Sequence, residues 1–375
     1  NFNYAISKSW HVNSIIGITY NKERERFFIP DKGVANIILP IGITGLSVMG
    51  TNRSGSEIQS LYSMYTDTYT SYFKKINNTH NFDVRFGLRS QSNKSESDLG
   101  LGFNSATDDF TSVGAGTNTL RQVGGALGEW NWLNAYASAK YNYRDKYFLT
   151  TSYAVDGSSR FGDKLDGTNK FSLMTSLTGA WLISSENFMK DSKAIDYMKL
   201  RASYSETGND DIGNFTAQKY YVSQNLLGLQ GLVRGNIGNP NLQWEKVKKV
   251  NLGLDLGLFN ERINASLDVF SNKTENMIVY ETINVASGFD KIVSNSGSMK
   301  TIGAELALSS RIINSPDVTF DLGLNLATYA NEVQSLPSGN ILTQFGGATY
   351  LTSNGNAANL FYGLRANGVY FTTEE

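Results

Sequence analysis

Residues 133–155 read LNAYASAKYNYRDKYFLTTSYAV, and the pattern of this stretch decides the fold. On its first arm Leu133, Ala135, Ala137, Ala139 and Tyr141 are apolar, while Asn134, Tyr136, Ser138 and Lys140 are mostly polar. On its second arm Tyr147, Leu149, Thr151, Tyr153 and Val155 continue one face, and Thr150, Ser152 and Asp156 mark the other. Successive side chains of a strand point to opposite faces, so each arm has one apolar and one polar side. A tight charged turn at Arg144, Asp145 and Lys146 joins the arms, and Tyr141, Tyr143, Tyr147 and Phe148 crowd it. Strands of about 10 residues with a short turn and aromatics gathered at one end mark a membrane-spanning barrel hairpin.

The same unit repeats along the chain. Residues 2–7 read as the end of a strand. Val12, Ser14, Ile16, Ile18 and Tyr20 form the next, followed by a long segment, residues 21–56, that opens with the run Lys22-Glu23-Arg24-Glu25-Arg26, read as a solvated loop. After a turn near residues 75–79, Phe82, Val84, Phe86 and Leu88 alternate with Asp83, Arg85, Gly87 and Arg89. Residues 90–128 read as a polar connection and residues 156–170 as a loop. Phe171, Leu173, Thr175, Leu177, Gly179 and Trp181 form a strand, and residues 182–197 have room for a short helix. Met198, Leu200, Ala202 and Tyr204 alternate with Lys199, Arg201, Ser203 and Ser205, ahead of the longest loop, residues 206–246. Two strong hairpins follow. In one, Val250, Leu252, Leu254, Leu256 and Leu258 turn at Asn260-Glu261 into Ile263, Ala265, Leu267 and Val269. In the other, Ile302, Ala304, Leu306 and Leu308 lead through residues 314–317 into Val318, Phe320, Leu322, Leu324 and Leu326. A long loop to about residue 360 and a strand near residues 361–371 end the series.

Short connections follow Ser7, Phe73, Tyr143, Trp181, Leu258 and Ser309, and long ones lie between. In a meander every second connection falls at the same end. One end therefore carries tight turns and the other large loops, as in outer-membrane barrels. Greek-key sandwiches do not produce this regularity. The expected fold is all-β, an antiparallel up-and-down transmembrane barrel with long extracellular loops, of which about 13 strands are a partial wall. Open strand edges do not survive in hydrocarbon, so the remaining strands are expected outside this sequence.

Composition agrees. Charged residues are 18% of the 375, below the soluble average of about 25%. Tyr outnumbers Trp 20 to 5, and Gly, Ser, Asn and Thr are abundant, as turn-rich β proteins require. The formal net charge of −1 offers no basic field for nucleic acid. With no cysteine there is no disulfide scaffold or thiolate metal site. The most apolar run, residues 35–50, is broken by Asn36, Pro40, Thr44 and Ser47 and is too short for a membrane helix. A mean hydropathy of −0.29 suits a barrel, which turns only every second residue to lipid. The chain has no signal peptide, opens on Asn-Phe-Asn-Tyr, and is expected to be an internal piece of a longer secreted precursor.

A set of motifs then identifies a family. Tyr143-Arg144-Asp145-Lys146-Tyr147, followed by Asp156-Gly157-Ser158-Ser159-Arg160-Phe161-Gly162, resembles the signature of the SusC/RagA family of TonB-dependent outer-membrane transporters of Bacteroidota. In order come Trp181 with Ser184-Ser185-Glu186-Asn187-Phe188-Met189, similar to that family's "GW-ISEE-FM" with Ala180 for the usual Gly, and Leu200-Arg201-Ala202-Ser203-Tyr204 with Thr207-Gly208-Asn209, similar to "KLRASYGxTGN". Asn239-Pro240-Asn241-Leu242-Gln243-Trp244-Glu245 resembles "NPNLxWE", and Asn295-Ser296-Gly297-Ser298-Met299 with Gly303-Ala304-Glu305-Leu306 resembles "NxGxMxNxGxE". Tyr362-Gly363 with Gly368-Val369-Tyr370 resembles "YGYxxDGIF", with Ala366-Asn367 in place of the acidic step. The motifs cover residues 132–375.

The resemblance implies that residues 1–375 are part of a barrel domain of about 22 strands with a plugged lumen. It implies an N-terminal plug and TonB box outside this chain, a SusD-like lipoprotein partner, TonB as energy source, and a place in the cell outer membrane, against outer-membrane lipid. The expected function is import of oligosaccharides or oligopeptides, a glycan or peptide substrate, without cofactor. Asp83, Arg85, Lys199, Arg201 and Asp255 would line the lumen or meet the plug. The alternative is a non-transporting surface receptor or adhesin. A soluble β-rich carbohydrate enzyme finds no catalytic constellation here.

Local candidates read as structural. Asp156 to Gly162 suits a tight loop with Arg160 beside Asp156. Asn209-Asp210-Asp211 lacks calcium-loop spacing. His11 and His80 lack a marked nucleophile and carboxylate. Asp108 and Asp109 are adjacent, so on a strand they would face apart, unlike a glycosidase pair. Asn214-Phe215-Thr216 and Asn264-Ala265-Ser266 match a glycosylation pattern by chance, and Gly124-Gly125 precedes no helix. No catalytic, cofactor or metal residue is expected. Tyr141, Tyr143, Tyr147 and Trp181 should anchor the inner interface. Tyr220, Tyr221, Trp244, Phe345, Tyr350, Phe361 and Tyr362 fall in or beside long loops, where they could grip substrate or pack loop on loop.

Overall fold

The computed structural model describes residues 1–41, 46–162, 170–226, 229–366 and 368. Its strands are β1 (Phe2–Ala5), β2 (Trp10–Ile29), β3 (Ile37–Ile41), β4 (Leu46–Gly50), β5 (Arg53–Ile76), β6 (His80–Phe103), β7 (Gln122–Tyr143), β8 (Tyr147–Ser158), β9 (Phe171–Leu182) and β10 (Ile195–Asn209). They continue with β11 (Tyr221–Leu226), β12 (Leu229–Arg234), β13 (Glu245–Leu258), β14 (Ile263–Thr282), β15 (Lys291–Asn314), β16 (Thr319–Ser335), β17 (Asn340–Phe345), β18 (Ala348–Ser353) and β19 (Leu360–Tyr362). One antiparallel sheet of 12 strands runs in chain order, β1-β2-β5-β6-β7-β8-β9-β10-β13-β14-β15-β16. The strands that it skips form three small sheets, β3-β4, β11-β12 and β17-β18-β19, all within long connections. Among the described residues no helix is long and apolar enough to cross a membrane.

The opening hairpin forms as read. Tyr143 pairs with Tyr147 and Leu133 with Gly157, placing Leu133, Leu149, Tyr153 and Val155 on one exposed face. The turns at 77–78 and 144–145 take left-handed backbone (φ 50° and 53° at Asn77 and Asn78, 54° at both Arg144 and Asp145), which matches the twist of paired strands. Registry then carries one apolar face across the whole sheet. Ile16, Ile18, Met64, Phe86, Leu88, Leu173, Leu177, Leu200, Leu252, Leu267, Val269, Ile302, Leu322, Leu324 and Leu326 all stand exposed on it. A soluble protein does not expose so continuous an apolar field, whereas a barrel wall turns it to lipid. Burial is concentrated at the long-loop end, in three small clusters around Phe161 and Leu242, around Leu39 and Phe103, and around Val333 and Val279.

The strands are longer than the sequence pattern indicated. Lys22 to Arg26 is solvated but is not a loop: β2 continues to Ile29, paired with β5 from Asn21↔Leu61 to Ile29↔Arg53. The polar connection expected at residues 90–128 is mostly strand, since β6 runs to Phe103 and β7 starts at Gln122. β10 likewise runs to Asn209, and β14 and β15 extend until residues 283–290 alone join them. These extensions have polar residues on both faces, so backbone pairing rather than amphipathic burial fixes them. The short helix expected in residues 182–197 is two single 3-10 turns, Ile183–Ser185 and Asn187–Met189. Of the strand expected at residues 361–371, Leu360–Tyr362 is observed, and Asn367, Val369 and Tyr370 lie outside the described residues. The apolar run at residues 35–50 supplies the loop hairpin β3-β4, with residues 42–45 outside the described residues.

Candidate functional site

Opposite the lipid face lies a polar wall built by the alternate residues of the same strands. On β5–β8 its centre is Asp67, whose side chain is only 8% exposed. Asp67 accepts hydrogen bonds from Arg89 Nε at 3.0 Å and from the Tyr136 hydroxyl at 3.1 Å. The Arg89 guanidinium also lies 4.2 Å from the Tyr136 ring centroid. One strand over, Asn134 Nδ2 donates to Asp156 at 2.6 Å. Further up, Gln91 Nε2 donates to Asn93 Oδ1 at 3.0 Å and to Ser63 at 3.3 Å. Asn93 Nδ2 and Asn134 Oδ1 are buried without a hydrogen-bond partner, polar capacity that a wall open to water or ligand can use.

A second array crosses β10, β13 and β14. Arg201 donates through Nε and Nη2 to Asp255 at 2.8 and 2.9 Å, and through Nη1 and Nη2 to Asp268 at 3.1 and 2.9 Å. Ser266 adds a hydroxyl to Asp255 at 2.8 Å. Two carboxylates gripped by one planar guanidinium are geometrically specific. Gly253 makes this possible, because a Cβ there would sit 2.6 Å from the Arg201 Cζ. Asp83, Arg85 and Lys199 share this inner face, with Arg85 3.5 Å from Asp83 and Lys199 5.1 Å from the Phe148 centroid.

The long-loop end gathers the motifs. Ser158 donates to Asp210 at 2.6 Å, and Arg160 Nη1 donates to Asp211 at 3.1 Å while its guanidinium lies 4.4 Å from the Trp130 centroid. The expected pairing of Arg160 with Asp156 does not form: the chain turns after Ser158, Asp156 stays on the wall with Asn134, and Arg160 reaches the next loop. Phe161 and Leu242 are fully buried, with Met174, Ile212, Ala217 and Trp244 around them. Trp244 Nε1 donates to the Lys170 carbonyl at 2.9 Å. Asn295 accepts from Gln243 N at 2.9 Å and donates to its carbonyl at 2.8 Å, and Asn239 Nδ2 donates to the Val293 carbonyl at 2.8 Å. The stretches 156–162, 207–211, 239–245 and 293–299 are therefore one knot. Trp244 packs loop on loop, and the Tyr350 ring lies tilted against Phe361, 5.0 Å centroid to centroid. Tyr220, Tyr221, Phe345 and Tyr362 stay exposed.

At the short-turn end, Tyr147 stands 6.2 Å from Tyr143 and 6.3 Å from Trp181, ring centroid to centroid. Glu186 ties this girdle to the turn. It accepts from the Tyr147 hydroxyl at 2.6 Å, Lys146 Nζ at 3.1 Å and Trp181 Nε1 at 3.2 Å. These donors, the tyrosine foremost, hold its carboxyl down at about 2. His80 joins the same girdle through the Tyr141 hydroxyl, 2.8 Å away, and the His11 carbonyl accepts from Thr70 on β5. Asp108 lies in a loop, where the backbone N–H of Asp31 and the side chain of Asn52 hold its carboxyl below the usual range. Gly124 and Gly125 are strand residues of β7, and Asn264 lies at the β13–β14 turn, donating to the Glu261 carbonyl.

Comparison with known proteins accords with this geometry. The family model described as TonB dependent receptor-like, beta-barrel, matches residues 1–374. TonB-dependent receptor P3 of Formosa agariphila is 29% identical over 327 residues, 84% of this chain and 32% of that protein. TonB-dependent receptor SusC of Bacteroides thetaiotaomicron is 28% identical over 330 residues, 82% and 32% respectively. The chain thus spans about a third of the length of these relatives. Among solved structures, that of the RagAB peptide transporter superposes with a TM-score of 0.78 at 23% identity, over 96% of this chain and 38% of that one. The siderophore receptor PiuA from Acinetobacter baumannii superposes with a TM-score of 0.57 at 11% identity, over 95% and 49%. The resemblance carried by the motifs therefore holds, and the chain belongs to the TonB-dependent receptor β-barrel family, in the bacterial outer membrane.

Proposed function

We propose that this chain is wall and loops of a TonB-driven importer of oligosaccharides or oligopeptides, working with a SusD-like lipoprotein and without catalysis of its own. The observation that carries the reading is the polar inner wall, in which Arg89, Asp67, Arg201, Asp255 and Asp268 are paired and held in place. Such a wall suits a wet or protein-filled lumen through which a polar oligomer passes. The names of similar proteins support it: one is SusC, and another is part of a peptide transporter. The sheet has open edges at β1 and β16, which hydrocarbon does not tolerate, and this supports a reading in which further strands of the full protein complete the barrel; a plug is part of the same proposal.

The test is the mass and company of the native protein extracted from outer membranes in detergent. A polypeptide of more than twice 41.3 kDa, co-purifying with a lipoprotein, is the expected result. A soluble product of 41.3 kDa without a partner would overturn the reading. A membrane protein without a plug would make the non-transporting receptor the better account.

A further inference from the structure

The lipid face is not smooth. Thr66, Ser90, Leu133, Gly157 and Phe171 are successive cross-strand partners on β5 to β9, all on the outer side. Thr66, Ser90, Gly157 and the neighbouring Ser92 are small, so the wall dips there into a groove of about 480 Å³. Met64, Leu133 and Phe171 wall it, and the Thr66 and Ser90 hydroxyls bond to each other at 2.7 Å, which leaves its floor without free polar demand. Phe171 lies across Gly157, where a Cβ would be 2.6 Å from the ring.

On the far side of Phe171 is a second depression of about 400 Å³, bordered by Glu206, Gln243, Lys246, Lys248 and Glu275. Lys248 and Lys273 both hold Glu275, at 2.6 and 3.0 Å, and Lys246 Nζ donates to the Leu173 carbonyl at 3.4 Å. Two lysines and two glutamates line this depression, and registry adds Lys273 and Lys300, with Glu332 opposite Lys300, on the same face, so the border carries one more lysine than carboxylates. This cationic border lies directly beyond Tyr204, Val250 and Ile302, where the apolar band stops.

We propose that the two depressions together form a binding site for one phosphorylated glycolipid of the outer leaflet, an acyl chain in the groove beside Phe171 and a head-group phosphate on Lys246 and Lys248. Flat barrel wall offers annular lipid neither a groove nor a cluster of cations, and lysine at head-group depth is a point-charge partner for phosphate. Glu275 fixes Lys248, and the Leu173 carbonyl accepts from Lys246, which leaves the anion a defined seat.

The test uses the full-length protein in detergent and native mass spectrometry with added phosphorylated glycolipid. One lipid should be retained. Lys246→Gln with Lys248→Gln should weaken retention roughly tenfold or more. Ser90→Leu, which fills the groove from an outward position and leaves both lysines in place, should do the same. The dephosphorylated lipid should bind like the double variant, and inorganic phosphate should not compete. The proposal is overturned if both variants, folded by gel mobility, retain lipid as well as the parent. Equal retention of the dephosphorylated lipid would mean ordinary annular lipid, and displacement by inorganic phosphate would mean a simple anion site; either also overturns it.

Discussion

Replacing Arg201 with Met tests whether the inner wall is held by its charges. The methionine keeps the length and apolar stem but leaves Asp255 and Asp268 facing each other with Ser266 as their remaining shared donor. A unit charge pair about 4 Å apart attracts by about 4 kcal/mol at an effective dielectric of about 20. Solvent reduces that, since the Arg201, Asp255 and Asp268 side chains are 30%, 26% and 20% exposed. Exposed pairs contribute about 0–1 kcal/mol and broken buried pairs cost about 3–5, so an array between those limits should cost about 2–3 kcal/mol when its cation is removed. The assay is urea unfolding of the full-length protein in detergent, followed by tryptophan fluorescence and by the mobility of unheated samples on gels. Adding Asp255→Asn and Asp268→Asn to the Met variant should recover most of the loss, because the penalty then lies in the stranded carboxylates. A loss below about 0.5 kcal/mol, unchanged by neutralising both aspartates, would show that the array is solvated and passive, and the reasoning would fail.

Leu242→Ala empties a fully buried position in the loop knot and should cost about 2–4 kcal/mol locally, read as faster tryptic cleavage of the loops while the unheated barrel band persists. Glu186 is held at about 2 against an ordinary 4.5, so its contribution to stability is full above about pH 4.5 and is lost as pH falls through about 2; Glu186→Gln should abolish that acid dependence in a pH titration of barrel stability. Leu252→Lys, on the lipid face, should cost about 2–4 kcal/mol in folding into vesicles. Ser203→Lys, on the opposite face of the neighbouring strand, should cost under about 1 kcal/mol in the same measurement, and equal costs would refute the assignment of faces.

What was legible in the sequence was whatever burial writes into alternation. Val250 to Leu258 and Phe82 to Leu88 announce strands because one of their faces must be apolar to meet lipid. Above the apolar band both faces meet water, and the signal vanishes although the hydrogen-bonded ladder continues. Lys22 to Arg26 and Ser90 to Phe103 were misread for that reason, since their strand state depends on partners such as β5, more than 30 residues away in the case of Arg24↔Ile58. The polar arrays were legible only as a facing direction. Arg201 meets Asp255 and Asp268 at separations of 54 and 67 residues, and no spacing rule links them. The aromatic girdle was readable because its members flank short turns. Glu186, which ties it together, sits 39 residues beyond Tyr147 and was visible only as part of a family motif.

The two ends of the wall solve one physical problem by opposite means. Strand ends carry backbone groups and side chains that leave the membrane and need fixed partners. At the short-turn end there is little chain to provide a core, so one carboxylate collects three donors from Tyr147, Lys146 and Trp181 and ties turn to turn. At the long-loop end there is ample chain, and Phe161, Leu242 and Trp244 build a small hydrophobic core, with Arg160 and Asn295 stitching its rim. Between them the strands need no core, because lipid covers one face and paired charges satisfy the other. Several of the motifs that carry the family resemblance accordingly lie at the ends, at residues 156–162, 184–189 and 239–245, where a carboxylate clamp and a packed knot each require particular side chains; Leu200 to Tyr204 and Gly303 to Leu306 instead run along the wall, where Arg201 gathers Asp255 and Asp268.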